Sequence, residues 1–330
     1  MAHEVEKMAY AHIEGSDKEA YQHPWHKFDT GNASVPVHPD STPEEMLKAA
    51  GLDWNIKRSP LTYKVNGTNR STGLDALYRD DSGDHLTNAT DTWHEVQPIE
   101  FANFLREFCV EGSMEMNTMG SLRNGQRLFA LAKVKGQEFS LARGKDIVQP
   151  YFLFSNPIVY GMSIDLSFVM TRVVCMNTLT VALDERSKQG IRLNHRKPFD
   201  AEEAKRLLDI SQTNMKSYQE AAEFLAGKRF SPEKLSEYYA TLFPSSSKKN
   251  DPETNKPKLS RSAKLALDVI DTQPGAEYEE GSWWQAYNSA TFTVDHLIGR
   301  NQDNRLNNAQ FGSGRTKKIK ALDLALEMAA

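Results

Sequence analysis

Residues 98–183 constrain the fold most, because the hydrophobic period changes twice within them. Residues 98–108 place Phe101, Phe104, Leu105 and Phe108 on one face of a 3.6-residue period, which predicts an amphipathic helix. Gly112 ends that pattern. Residues 114–121 and 127–134 flank the turn sequence Arg123-Asn124-Gly125 and read as a hairpin. A second turn at Lys135-Gly136-Gln137 leads into residues 138–142. Tyr151-Phe152-Leu153-Phe154 reads as a short buried strand closed by Asn156-Pro157. Residues 162–171 then alternate. Ile164, Leu166, Phe168 and Met170 fall on one side, and Ser163, Asp165, Ser167 and Thr171 on the other. A period of two sends every second side chain to the same face, so this strand has one buried face and one polar face. After Arg172-Val173-Val174-Cys175 a helix is expected near residues 178–186.

The flanking sequence completes an α+β reading: a central antiparallel sheet with flanking helices and a mostly helical C-terminal part. Residues 1–40 read as an acidic arm with little apolar periodicity. Residues 41–199 form the α+β core. It opens with a helix that Ser41-Thr42-Pro43-Glu44-Glu45 starts and Gly51 stops. Residues 54–65 are extended up to the turn Asn66-Gly67, and residues 74–79 form a short strand before the turn at Asp80-Asp81-Ser82-Gly83-Asp84. Residues 200–330 are helical, with a mobile surface linker at 244–260 marked by Ser-Ser-Ser-Lys-Lys-Asn-Asp-Pro.

Charge is unevenly placed. Residues 1–121 hold 10 Lys+Arg against 20 Asp+Glu, and residues 122–330 hold 30 against 24, so an acidic front precedes a basic body. That asymmetry hints at a polyanion partner. The two cysteines, Cys109 and Cys175, sit in apolar runs and read as small buried hydrophobes. The polar, acidic first residues do not read as a signal peptide, and no 18-residue apolar run offers a membrane span. A reducing, cytoplasmic setting is the expectation.

Candidate catalytic and ligand motifs are weak. His23-Pro24-Trp25-His26 has a proline where a helical metal pair needs none, and no further ligand lies near it. Cys175 has apolar neighbours, as an inert thiol does. Trp283, Trp284 and Tyr287 open a helix and read as core anchors before stacking platforms. Phe311-Gly312-Ser313-Gly314-Arg315-Thr316-Lys317-Lys318 lacks the ending of a nucleotide phosphate loop. A glycine turn that opens a basic helix can still hold one phosphate through its free N–H groups. No cofactor, metal or catalytic constellation is expected.

Three acid-poor basic groups stand out instead: residues 123–145, 186–197 and 300–320. Lys and Arg on strands and turns track a sugar–phosphate backbone without reading its sequence. Arg123, Arg127, Lys133, Lys135, Arg143, Arg172, Arg192, Arg196, Lys197, Arg315 and Lys317 are the expected phosphate contacts. Phe129, Phe139 and Tyr151 interleave the first group, although core packing suits them better. The expected partners are single-stranded nucleic acid, with DNA favoured, and further copies of the chain. The alternative is a protein-binding module that uses the acidic arm (Glu4, Glu6, Glu14, Asp17, Glu19) to hold a host or defence factor.

Several segments resemble a phage- and plasmid-encoded family of unknown function, in order and spacing, over about residues 25–328. They are Ala50-Gly51-Leu52-Asp53-Trp54, Val96-Gln97-Pro98, Gly120-Ser121-Leu122-Arg123-Asn124-Gly125, Thr171-Arg172-Val173-Val174-Cys175-Met176-Asn177-Thr178 and Phe311-Gly312-Ser313-Gly314. The resemblance implies a phage or prophage gene product and carries no activity. The order helix, consecutive strands, helix also resembles phage single-strand annealing proteins of the RecT, Redβ and Erf type. Those proteins hold single-stranded DNA in a basic groove within rings or filaments. This second likeness is one of architecture alone.

Overall fold

In the computed structural model, which describes residues 5–11, 34–38, 41–110, 114–172, 177–180, 191–200, 202, 213–245, 259–299 and 302–330, the alternating stretch becomes the centre of a large sheet. Its strands are β1 (Val5–Ala11), β2 (Ser34–Val37), β6 (Met114–Leu122), β7 (Arg127–Val134), β8 (Phe139–Leu141), β9 (Asp146–Pro157), β10 (Ile164–Arg172), β11 (Asn177–Thr180) and β12 (Ile191–Leu193). The order is β11-β10-β9-β7-β6-β1-β2. β12 joins β10 beyond the end of β11, and β8 joins β9 beyond the end of β7. Every pairing is antiparallel except that of β1 with β2. The expected α+β class with a helical C-terminal part is the observed one. Two pieces of the expected acidic arm are strands at the sheet's edge. The motif His23-Pro24-Trp25-His26, Glu14, Asp17, Glu19 and Cys175 lie outside the described residues.

A second, three-stranded sheet has the order β3 (Ile56–Val65), β4 (Thr68–Arg79), β5 (His85–Ala89). It follows α1 (Pro43–Ala50), whose start is fixed by a reciprocal cap. The Glu45 N–H donates to Thr42 Oγ1 at 3.3 Å and the Thr42 N–H donates to Glu45 Oε2 at 2.9 Å. Gly51, at φ 67°, takes the left-handed cap that ends the helix. Both sheets meet at the β6–β7 turn. Asn124 Nδ2 donates to Asp84 Oδ2, Gln126 Nε2 donates to the Leu86 carbonyl, and Trp54 packs where a side chain at Gly125 would stand.

α2 (Pro98–Val110) lies on the main sheet as its periodicity predicts. Phe101 and Phe104 contact Phe154 of β9 at 4.4 and 5.1 Å between ring centroids, and Leu105 is buried beside them. Each such side chain stabilises the fold by roughly 2 kcal/mol through lost water contact. The same face carries Ala130, Ala132, Phe152, Ile164, Leu166, Phe168 and Met170, and belongs to the principal core. The opposite face carries Leu122, Phe129, Leu131, Tyr151, Leu153 and Val169, a second core closed among the described residues by Leu306 and Phe311.

The polar face of β10 is therefore not a solvent face: all nine of its residues are buried. The helix expected near residues 178–186 is corrected where it is described. Residues 177–180 form β11, because Thr178 and Thr180 are β-branched and the exposed edge of β10 takes a partner.

The C-terminal helices are α3 (Thr213–Ala226), α4 (Pro232–Leu242), α5 (Arg261–Asp268), α6 (Trp283–Phe292), α7 (Gln302–Phe311) and α8 (Ser313–Ala329). A π-helical turn at Thr293–Leu297 follows α6. Trp283, Trp284 and Tyr287 are buried, as core anchors are. Tyr238 Oη donates to the Ala321 carbonyl and Tyr239 Oη to that of Ala286, so α4 is tied to α8 and α6. The expected linker falls between α4 and α5. Ser260 Oγ, which also caps α5, donates to the Phe243 carbonyl at 2.7 Å and joins the linker's two ends.

Candidate anion-binding cavity

The cavity forms where β7, β10, β12 and the start of α8 converge. Arg127 opens β7, opposite Leu122 across the turn and opposite Pro157 of β9. Its side chain lies on the same sheet face as Phe129 and Leu131, so it enters the interior and is only 8% exposed. The guanidinium donates to Ser155 Oγ at 2.7 Å, reaches the Met162 sulfur at 3.8 Å, and lies 4.6 Å from the centre of the Phe311 ring. No carboxylate stands within ion-pair distance of it among the described residues. Burial pulls its pKa down to about 10. Asp165 opposes that shift, while Arg123 and Arg315 add to it as like charges.

Arg315 lies in the first turn of α8 and donates to Asp165 Oδ2 at 2.6 Å. Asp165 faces Ser155 of β9 on one side and Arg192 of β12 on the other in the strand register. Its second oxygen has no hydrogen-bond partner among the described residues. Arg127, Arg192, Arg315, Asp165, Ser163 and Thr316 line a cavity of about 270 Å³, with Gly312 at its rim. α8 begins there because Gly314 lets it pass close to α7: an added Cβ would stand 2.8 Å from the Asn308 carbonyl oxygen. Asn308 Oδ1 accepts from the Gly314 N–H and from Ser313 Oγ, and so caps the helix.

The basic residues read from the sequence divide between the two ends of the sheet. Arg123, Arg127, Arg192 and Arg315 share one end. Arg123 is exposed in the β6–β7 turn at φ 55°, a left-handed conformation unusual for a residue with a Cβ. Arg196 and Lys197 are exposed just after β12, and Lys317 is half-buried on α8. The other end carries half-buried Lys133 with exposed Lys135 and Arg143. Lys133 and Arg127 are separated by about 20 Å along β7 at the rise of a strand. Arg172 is at that second end and faces inward, 1% exposed and paired with Asp146. Phe129 and Tyr151 are buried, and Phe139 packs 6.2 Å from Tyr218, so none of the three stands free for stacking.

Sequence reasoning missed Ser155 and Asp165. A lone carboxylate among the core positions at the start of a buried strand is a signal that a cation must come to it, although it does not say which. A second cavity, of about 420 Å³, lies beside Arg58. That guanidinium is engaged with Glu95 at 2.6 Å, Asp75 at 3.4 Å and the carbonyls of Thr90 and Trp93. At its border His195 stacks on Trp93 at 4.3 Å and its Nδ1 meets the His94 carbonyl. Burial holds the His195 pKa below the ordinary value. The Cys109 thiol is pushed up by burial. Among the described residues no group of three or more His, Cys, Asp or Glu could hold a metal ion, and no helix is long and apolar enough to cross a membrane.

An α+β protein with a two-sided sheet and an arginine-lined cavity at one end is the class that fold and site define. Residues 85–313, more than two thirds of the chain, match the family described as Domain of unknown function (DUF932), and the chain belongs to that family. The match spans β5 to the start of α8 and so includes every arginine of the cavity except Arg315. No curated protein matches the chain, and no solved structure matches it, so the likeness to annealing proteins gains no counterpart from known folds.

Proposed function

We propose that this protein binds single-stranded nucleic acid, with DNA favoured, through the arginine-bearing end of its main sheet. Arg127 carries the reading. A guanidinium that is nine-tenths buried, with no carboxylate within ion-pair distance among the described residues, and beside Arg123 and Arg315, is costly to the fold. A phosphate group in the cavity offsets that cost by supplying the missing charge, and a guanidinium fork suits its oxygens. Arg123, exposed in the β6–β7 turn at the same end of the sheet, adds to the basic surface there. The contact is to backbone phosphate and does not read sequence.

The resemblance to phage and plasmid proteins supports a finer reading. In it, several copies line up successive sites along one strand and present its bases for annealing during recombination, within a bacterial host cell. Binding of a fluorescent single-stranded oligonucleotide at about 50 and about 200 mM salt, with the mass of the complex in solution, tests both levels. Tight binding that weakens steeply with salt, on a large assembly, is the expected result. No binding at the lower salt overturns the reading.

A further inference from the structure

β3 and β4 run beyond the reach of β5. Their register continues through Thr62–Ser71, Tyr63–Arg70, Lys64–Asn69 and Val65–Thr68, whereas β5 pairs with β4 only from Asp75 to Tyr78. Every residue from 62 to 73 is exposed. The Asn66-Gly67 tip, at φ 51° and 80°, is the two-residue turn that matches strand twist, so the ribbon is built to stay extended. The two-stranded part reaches about 17 Å past β5 at the rise of a strand. No element among the described residues covers it, and an isolated hairpin is marginal in water.

Its composition departs from that of its surroundings. From Trp54 to Leu74 there is no carboxylate and there are four cations, Lys57, Arg58, Lys64 and Arg70, in a half of the chain that is otherwise acidic. Arg58 is occupied at the root by Glu95 and Asp75. Lys57, Lys64 and Arg70 are exposed. Tyr63 is 50% exposed and stands directly opposite Arg70 in the strand register, which puts an aromatic and a basic residue on one face with Val65. Lys64 and Asn69 occupy the other face. The root of the small sheet is fastened to the β6–β7 turn, which carries Arg123.

We infer that this ribbon is an arm that grips the nucleic-acid strand, with Tyr63 and Arg70 against a base and Lys64 against phosphate. The inference rests on the nucleic-acid reading above. Charge complementarity selects this occupant over a second copy of the chain. Pro60 removes an N–H from the ribbon, and Lys64 and Arg70 place like charges where another ribbon would have to pair. An exposed aromatic ring beside a cation is a stacking platform for an unpaired base, and it tolerates any sequence.

The test uses the full chain and a fluorescent thymidine oligonucleotide over a series of salt concentrations. Two variants, Tyr63→Ala and the pair Lys64→Glu with Arg70→Glu, are compared with wild type, and melting curves verify their folding. These side chains are exposed, so unchanged melting is expected. The charge pair weakens binding at least tenfold and, through the one phosphate contact at Lys64, lowers the steepness of log affinity against log salt by about 0.7. Tyr63→Ala weakens binding about tenfold and leaves that steepness unchanged. Wild-type binding that all variants retain overturns the arm and leaves the nucleic-acid reading standing. Absence of wild-type binding overturns both. A change in solution mass in the variants, with binding intact, assigns the ribbon to contacts between copies and also overturns the inference.

Discussion

Arg172 Nε stands 2.7 Å from Asp146 Oδ1, with both side chains withdrawn from water. The pair joins the last residue of β10 to the first residue of β9 at the end of the sheet away from the cavity. Trp284 Nε1 donates to the other Asp146 oxygen at 2.9 Å, and Arg172 donates on to the Gly275 carbonyl at 2.8 Å. One carboxylate and one guanidinium thereby fasten the sheet to α6 and to the loop before it. A buried pair of this kind contributes little net attraction, but loss of one partner strands the other charge.

Arg172→Met is accordingly expected to lower stability by about 3–5 kcal/mol, because it removes the partner of a fully buried carboxylate and leaves Asp146 the Trp284 indole as its side-chain donor among the described residues. The pair Arg172→Met with Asp146→Asn is expected to recover most of that loss. Urea unfolding of the two variants checks both statements. Equal loss in the single and double variants would show that the pair is not the lock between sheet and helices.

Arg127→Met is expected to behave in the opposite way. Among the described residues its guanidinium has no ion-paired carboxylate to strand, since Asp165 keeps Arg315, and its removal relieves a desolvated charge while it costs the Ser155 hydrogen bond and the Phe311 contact. These terms are each about 1 kcal/mol and oppose one another, so the unfolding midpoint should barely move. Oligonucleotide affinity should fall about tenfold or more, as it does when a charged phosphate contact is removed. Arg172→Met, assayed where it is still folded, should keep wild-type affinity.

These two arginines show how far the sequence could be read. Both lie in strands, and both were expected to meet phosphate. In the alternation of β10, Arg172 has the parity of Ile164, Leu166, Phe168 and Met170, which is the core face, so its burial was legible. Its partners were not: Trp284 is 138 residues from Asp146 in sequence, and no local pattern pairs them. The capped helix α1 and the hairpin of β6 and β7 were legible because caps and turns are local chemistry. The outer half of β4 was not, because Thr68-Asn69-Arg70-Ser71-Thr72-Gly73 has no apolar alternation. Its strand form comes from pairing with β3 alone. The cavity needed Arg315, brought to Asp165 across 150 positions.

His195 provides a pH test of the second cavity's border. Its ring is buried against Trp93, and burial lowers its pKa from the ordinary 6.5. Below about 6.5 the unfolded chain takes up a proton that the folded chain refuses until lower pH. Stability from this group is thus complete above about pH 6.5 and is lost as pH falls from there toward the lowered folded value. Melting temperatures at about pH 7.5 and 5.5 should differ more in wild type than in His195→Gln, whose amide can still meet the His94 carbonyl. An equal difference in both proteins would mean that this ring does not titrate with unfolding.

Gly314→Ala tests the approach of α8 to the cavity. In an open helix the change would stabilise by about 1 kcal/mol. Here the new Cβ would stand 2.8 Å from the Asn308 carbonyl oxygen, 3.0 Å from Ala309 Cα and 3.0 Å from Val294 Cγ1. Two of those atoms are backbone and cannot rotate aside, so α8 must move away from α7. Overpacking of this kind costs about 1–3 kcal/mol, which outweighs the helix gain. The expected net loss is up to about 2 kcal/mol in urea unfolding, where an open helix would show a gain. Oligonucleotide affinity should fall with it, because the same movement draws Arg315 off Asp165 at 2.6 Å and opens the cavity wall. A stabilised variant with intact binding would show that the two helices do not approach this closely in solution.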